Sequence, residues 1–274
     1  GEHHGGTNHG RNACRIGNSL AAELLIALLM IADIVDIDGL LLAILDAGDD
    51  AADVRLADGA RAERSRVRQQ RLEEIIAEQF YEQEKNNKLM ISILSHIVEF
   101  RNGESGRHIL RVNTITKYLL KQLVQRTDKY PLSKSDITLI STASSLHDIG
   151  KIAISDAILN KPGRLTAEEF EMIKTHSMVG ANMLLDLPVE QQEAPLVKVA
   201  SEICRWHHER YDGNGYPDGL KGEEIPIAAQ VVALADVYDA LTSERCYKRA
   251  YSHEDALKMI LEGECGVFNP TLLL

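Results

Sequence analysis

The sequence predicts a predominantly α-helical fold. Aromatic side chains make up only 5% of its 274 residues, whereas Leu, Ile, Ala and Glu recur at helical spacing through most of the chain. Segments in which apolar and polar residues alternate, as strands on a half-buried sheet require, are few. With 45% hydrophobic residues the chain can bury one sizeable core and still hold a smaller module or a linker helix.

The charge balance limits the classes of partner. Lys and Arg number 30 against 41 acidic residues, and the net charge of -11 argues against binding to nucleic acid polymers or anionic membranes. An anionic substrate would therefore need local cations. The four cysteines form no CxxC pair and indicate free thiols in a reducing compartment, so we expect a cytoplasmic protein.

The sequence predicts neither a membrane span nor a secretion signal. Its longest apolar stretch, Leu20 to Ala32, contains Glu23 and is shorter than the roughly 20 apolar residues that cross a bilayer. No basic region followed by an apolar block and a small-residue cleavage site begins the chain.

Residues 63–100 predict a charged linker helix. A four-three spacing runs along it, at Leu72, Ile76, Gln79, Gln83, Asn86, Met90, Ile93, Ile97 and Phe100. The three polar residues in the middle weaken this seam. Two interpretations stay open, a parallel coiled coil that joins a homodimer and a single amphipathic helix packed on its own domain.

Beyond Asn102, capping signals divide the chain into further helices. Ser133 with Asp136, and Thr166 with Glu169, each fit a helix start. The stretch from Ile227 to Leu241 is apolar on almost every face, which predicts a central buried helix.

Asp236 and Asp239 lie inside this apolar helix and require an explanation. An ionised carboxylate at such a place is costly unless it is paired or bound to a metal.

Five histidines stand in distinctive local settings, and two of them have a carboxylate close by with which they can share a metal. Glu104 and His108 are four residues apart, so on a helix both project from one face. His147 and Asp148 are adjacent, and the two oxygens of Asp148 are available to bridge two metals.

The other distinctive histidines are His176 and the pair His207 and His208, which precedes a glycine-rich loop that ends in Tyr216 and Pro217. Taken singly, each of these signals is weak, because a lone histidine is more often a core or surface residue. Their order along the chain is the informative feature.

That order resembles the HD-GYP family, a subgroup of the HD metal-dependent phosphohydrolases, from about Leu89 to the C-terminus. The motifs that carry the resemblance are Glu104-x-x-x-His108, His147-Asp148-x-x-Lys151, Lys174-Thr-His176, His207-His208-x-x-x-Asp212-Gly-x-Gly-Tyr216-Pro217 and Ala235-Asp236-x-x-Asp239. It implies an HD-domain helical bundle over residues 101–274 that hydrolyses the second messenger cyclic di-GMP to linear pGpG and onward to GMP.

The resemblance also implies a set of metal ligands. They are Glu104, His108, His147, Asp148, His176, His207, His208 and Asp236. Imidazole and carboxylate suit two or three divalent ions, with iron or manganese expected. In the family, a glutamate at the place of Glu104 accompanies three metals.

Further residues are implied for catalysis and substrate binding. Lys151 would lie near the scissile phosphate beside the bridging Asp148, while Tyr216, Arg245 and Lys248 would bind the substrate. Cys246 stands where the family usually has proline. Two alternatives remain: a catalytically silent cyclic di-GMP receptor that acts on signalling protein partners, and a hydrolase of another cyclic dinucleotide.

Residues 1–62 also contain two stretches that resemble fragments of a response-regulator receiver domain. These are Glu23 to Asp38, followed by Gly39, and Leu45 to Asp50. They are too close together for a complete receiver, and Ile31 stands where its phosphorylated aspartate would be. We expect a truncated or altered module without a phosphorylation switch.

Overall fold

The chain folds into helices joined by turns and short 3-10 segments. The computed structural model describes residues 58–101, 107–244 and 249–273, with side chains from residue 65. Its helices are α1 Asp58–Phe100, α2 Arg107–Arg126, α3 Lys134–Ala143, α4 Asp156–Leu159, α5 Ala167–Leu185, α6 Val189–Gln192, α7 Pro195–Trp206, α8 Ile227–Thr242 and α9 His253–Leu261. The described residues contain no strand, which confirms the all-α prediction.

Two compact units divide the described chain. Residues 58–90 of helix α1 belong to one unit, and the described residues from 91 onward belong to the other. Side chains in residues 65–90 are mostly exposed, and neighbouring turns are linked by surface ion pairs such as Lys88 with Glu84. The receiver-like stretches predicted in residues 1–62 lie outside the described residues.

Helix α8 is the centre of the larger unit. It packs against α2, α7 and α9, and Ala229, Val231, Val232 and Ala235 along it are fully buried. This arrangement confirms the predicted central helix. Because α8 is enclosed on several sides, a polar side chain on it has to find its partner inside the protein.

Both predicted capping boxes are present. The Thr166 hydroxyl accepts from the backbone N–H of Glu169 at 3.2 Å, and the Glu169 carboxylate accepts from the N–H of Thr166 at 2.7 Å. Ser133 and Asp136 make the equivalent pair of bonds at the start of α3. The capping box at Thr166 fixes the start of α5, the helix that carries His176.

Two 3-10 segments, Ser144–Leu146 and Ile149–Ala153, follow α3, and the second of them approaches the backbone of α5 closely. A Cβ atom added to Gly150 would lie 2.0 Å from the carbonyl oxygen of His176 and 2.5 Å from the backbone nitrogen of Gly180. Only a residue without a side chain allows these backbones to come together. Gly150 therefore sets the distance between the His147-Asp148 pair and α5.

Among the helices that the structure describes, none is both long enough and apolar enough to cross a membrane.

Candidate metal centre

Seven of the eight predicted ligands form two neighbouring groups. Within each group the donor atoms all lie within 4.8 Å of one another. The first group consists of Asp148, His176, His207 and His208, and the second of His108, His147 and Asp236. The eighth residue, Glu104, lies outside the described residues.

Different elements deliver these side chains to one place. His108 lies in the first turn of α2, His176 in the middle of α5, His207 at the end of α7 and Asp236 on α8. His147 and Asp148 stand between the two 3-10 segments, and the second segment, which contains Gly150, packs against α5. The groups therefore depend on the packing of the whole bundle.

The carboxylate of Asp148 faces both groups. Its Oδ1 is 3.2 Å from Nε2 of His176 and 3.8 Å from Nε2 of His207. Its Oδ2 is 3.2 Å from Nε2 of His147 and accepts a hydrogen bond from Nζ of Lys151 at 2.5 Å. One side chain thus offers an oxygen to each group, as a bridging ligand must.

Three histidines are oriented by backbone carbonyls. Nδ1 of His147 donates to the carbonyl of Ser144 at 2.9 Å, and Nδ1 of His176 donates to that of Ile173 at 2.7 Å. Nδ1 of His207 lies 2.9 Å from a carbonyl one turn earlier in α7. A carbonyl can only accept, so the proton sits on Nδ1 and Nε2 is left as the metal-binding nitrogen.

His108 is oriented by a side chain instead. Its Nδ1 donates to Oδ2 of Asp239 at 2.7 Å, and Arg111 donates to both oxygens of the same carboxylate. Although burial opposes ionisation, the bonds from His108 and Arg111 hold the pKa of Asp239 down at about 2. The apolar helix α8 therefore tolerates Asp239 because that residue is paired with His108 and Arg111.

The electrostatics of the site favour a cation. Burial lowers the pKa of His147, but the nearby carboxylates of Asp148 and Asp236 outweigh it and raise the pKa to about 9. Burial holds the pKa of His207 well below its usual value, so this imidazole is neutral. The field that stabilises a proton on His147 would also stabilise a divalent ion, and neutral imidazole is the form that binds one.

Two buried atoms that could bind a metal support this interpretation. Nε2 of His147 and Oδ1 of Asp148 are shielded from solvent, and neither makes a hydrogen bond within the described part of the chain. Buried polar atoms are rarely left in that condition, and an ion in each group would satisfy the atom that faces it. The residues present can therefore hold a metal.

Tyr216 forms one wall beside the first group. Its ring stacks on His208 with centroids 4.7 Å apart, and Nζ of Lys174 lies 5.5 Å from the centroid of the Tyr216 ring. The loop that carries Tyr216 is held by Glu209, which accepts from the backbone N–H groups of Asp218 and Gly219. Burial raises the pKa of Tyr216, so its phenol stays protonated.

Arg245 and Lys248 lie outside the described residues, so their predicted contact with substrate stays a prediction.

No motif or spacing in the sequence indicated a specific role for Glu99, Arg111 or Asp239. Asp239 stood out as a carboxylate in an apolar helix, but its pairing with His108 joins residues that are 131 positions apart. Oε1 of Glu99 lies 3.6 Å from Nε2 of His108, but this residue gave no local signal because charged residues are frequent in the linker helix.

Comparison with known proteins identifies the family and several relatives. The model of the HD domain family matches residues 88–272. A Vibrio cholerae protein named "Probable cyclic di-GMP phosphodiesterase" is 43% identical over 192 residues, which are 67% of this chain and 42% of that protein. A Thermotoga maritima protein named "Cyclic di-GMP phosphodiesterase" is 38% identical over 202 residues, covering 74% of this chain and 52% of the relative.

A third relative is named for a different substrate. The Vibrio cholerae protein named "3'3'-cGAMP-specific phosphodiesterase 2" is 36% identical over 189 residues, which are 69% of this chain and 34% of that protein. The chain thus spans about half or less of the length of these relatives. Because the family match covers most of the chain and includes both groups of candidate ligands, the chain belongs to the HD domain family.

Proposed function

We propose that residues 101–274 form a metal-dependent phosphodiesterase domain of the HD-GYP subgroup. It hydrolyses cyclic di-GMP to linear pGpG, with GMP as the product of a second cleavage. The observation that carries this proposal is the carboxylate of Asp148, which directs one oxygen to each of two histidine-containing groups. The relatives named cyclic di-GMP phosphodiesterases support the choice of substrate.

The proposed site holds two or three divalent ions, with iron or manganese as the metal. His176, His207 and His208 would bind one ion, and His108, His147 and Asp236 a second, with Asp148 shared. Borderline first-row ions accept this mixture of imidazole and carboxylate. Glu104, which in the family accompanies a third ion, would complete the set.

The chain's own groups position the substrate and balance charge. Bound metals would supply Lewis-acid stabilisation of the phosphoryl oxygens and lower the pKa of an attacking water. Nζ of Lys151, at 2.5 Å from Asp148, can turn to a phosphate oxygen or to the leaving oxygen of the substrate. Tyr216, which keeps its proton, can donate a hydrogen bond to a phosphate or pack on a guanine base.

Two alternatives concern the outcome of binding. A silent receptor would hold metals and cyclic di-GMP without reaching the geometry of attack, and it would pass the signal to a protein partner. A hydrolase of another cyclic dinucleotide is favoured by the relative named for 3'3'-cGAMP.

Anaerobic purification with metal analysis, followed by product identification, tests the proposal. We expect two or three ions per chain and conversion of cyclic di-GMP to pGpG at a higher kcat/KM than that of 3'3'-cGAMP. Binding of cyclic di-GMP without product would establish the receptor alternative. Preferential turnover of 3'3'-cGAMP would move the substrate assignment to the mixed dinucleotide.

The cations proposed to bind substrate give a second prediction. Arg245→Ala combined with Lys248→Ala should weaken cyclic di-GMP binding by roughly ten- to a hundredfold, because a charge-assisted contact is worth about 1.5 to 3 kcal/mol. Metal content should stay at the parent level. Binding would be measured by calorimetry at two salt concentrations, since attraction of an anion to a few cations weakens with salt.

The matched control for that pair is Lys121→Ala with Lys134→Ala, two exposed lysines on α2 and α3. Parent-like binding by the Arg245/Lys248 variant would remove both residues from the recognition site. If the Arg245/Lys248 variant lost its metals, the two residues would instead be assigned a role in stabilising the metal centre.

We also propose that residues 63–100 act as a linker helix that joins two copies of the chain. Along the predicted seam, Ile76, Ile93 and Ile97 are 39%, 43% and 51% exposed, so apolar surface is available for a partner helix. A parallel homodimer would cover this seam. Signalling proteins upstream and a cytoplasmic location fit the same assignment.

A further inference from the structure

We propose that Arg101, which directly follows helix α1, is a positioning residue for Lys151. It acts through the segment 152–160, which comes after Lys151 in the chain and which Arg101 holds by hydrogen bonds. The inference rests on the role of Lys151 in the proposed function and adds to it a residue from outside the motifs of the site.

The contacts of Arg101 join two distant parts of the chain. Its guanidinium donates to the carbonyl of Ile152 at 2.6 Å, to that of Ile154 at 3.0 Å and to Oδ1 of Asp156 at 2.8 Å. The carbonyl of Arg101 in turn accepts from Nδ2 of Asn160 at 2.8 Å. A guanidinium is a planar fork with five N–H donors, so it can hold several acceptors in a fixed geometry. Arg101 therefore holds this segment through both its side chain and its backbone.

The two carbonyls belong to a place where the backbone needs outside partners. Ile152 lies near the end of the 3-10 segment Ile149–Ala153, and Ile154 is the residue that ends it. A helix leaves its last carbonyls without partners of its own. Ile154 is only 3% exposed, and a buried carbonyl without a hydrogen bond is costly. The bonds from Arg101 thus stabilise the observed conformation of this segment.

This stretch of backbone sets the place of Lys151. The N–H of Ile154 donates to the carbonyl of Lys151 at 3.0 Å, and the N–H of Lys151 donates to the carbonyl of Asp148 at 2.9 Å. Ile152, whose carbonyl Arg101 holds, is the residue directly after Lys151. Without the bonds from Arg101 the backbone on that side of Lys151 could shift, and Nζ, which is 2.5 Å from Asp148, would shift with it.

A double-mutant cycle tests whether Arg101 acts through Lys151. The full chain, Arg101→Gln, Lys151→Ala and the double variant would be loaded anaerobically with Mn²⁺, analysed for metal and assayed with cyclic di-GMP. We expect Arg101→Gln to keep the parent's metal content and to lower kcat by about 10- to 100-fold, because a displacement of about 1 Å in a reacting group can cost that much. In the Lys151→Ala protein the same change should lower kcat no further, since the group that it displaces is already gone.

The matched control is Arg126→Gln, an exposed change at the end of α2, which should behave like the parent. Parent-like turnover by Arg101→Gln would overturn the proposal. So would an equal loss of kcat in both backgrounds, or loss of the metals, because either result makes Arg101 a support of the whole site. If Arg101→Gln fails to fold, Arg101→Lys, which keeps the charge without the fork, takes its place in the cycle.

Lysine acetylation measures the environment of Lys151 without turnover. The side chain of Lys151 is 19% exposed and paired with Asp148, so a limiting amine-reactive reagent should modify it slowly. Mass spectrometry of metal-stripped proteins should show Lys151 modified several-fold faster in Arg101→Gln than in the parent, and the exposed Lys121 modified equally in both. Equal modification of Lys151 in the two proteins would overturn the positioning role, whatever the turnover. Parent protein that cleaves no dinucleotide would overturn the proposed function alone, and the modification rates would then decide the role of Arg101.

Discussion

Replacing Asp148 by alanine should abolish hydrolysis and lower the metal content at both positions. Residues that only support a ligand typically cost about 10- to 100-fold when they are changed, so a shared ligand should cost more than about 100-fold. The physical reason is the placement of its two oxygens, 3.2 Å from His176 on one side and 3.2 Å from His147 on the other. Metal analysis and a cyclic di-GMP turnover assay on the same sample would measure both effects.

Asp128→Ala is the matched control, since Asp128 is an exposed aspartate two residues beyond the end of α2. It should keep the parent's metals and activity. An Asp148→Ala protein with full metal occupancy and normal turnover would contradict the bridging role. Loss of one ion with the other retained would make Asp148 a ligand of one group only.

Among Gly→Ala substitutions at the glycines that the structure describes, Gly150→Ala should lower the stability of the protein most. The new Cβ would stand 2.0 Å from the carbonyl oxygen of His176, an atom of the backbone that no rotamer change can move. Overpacking typically costs about 1–3 kcal/mol, and we expect about 3 kcal/mol or more here because the whole of α5 must shift. Urea unfolding of metal-stripped protein would measure the loss.

Gly222→Ala separates steric overlap from backbone conformation. Gly222 has φ +61°, and no atom lies within 4 Å of an added Cβ. Its substitution should cost about 1–2 kcal/mol, the penalty for a left-handed residue with a side chain. A Gly150→Ala protein as stable as the Gly222→Ala protein would show that α5 can move away from the 3-10 segment at little cost.

The sequence predicted what depends on local geometry and on motif order. The helix starts at Ser133 and Thr166 follow from contacts over three residues, and the structure confirms them. The central helix follows from its apolar composition. The groups around Asp148 contain seven predicted residues, but their role as ligands stays a prediction.

What the sequence did not predict depends on tertiary packing. Asp239 reaches His108 because α8 packs against α2, and no spacing along the chain encodes that contact. Oε1 of Glu99 lies 3.6 Å from Nε2 of the same histidine, although the two residues belong to different helices. A charged residue in a charged helix gave no signal of burial.

The orientation of the histidines has an evolutionary consequence. His147, His176 and His207 are held by backbone carbonyls, which every amino acid supplies, so substitution of the residues that bear those carbonyls does not remove the bond. His108 is held by Asp239, a side chain that mutation can replace. Sequence divergence among descendants of this protein should therefore accumulate around His108, where a single codon change at position 239 can alter the orientation of the ring and so the binding of an ion. The other three histidine rings should keep their orientations.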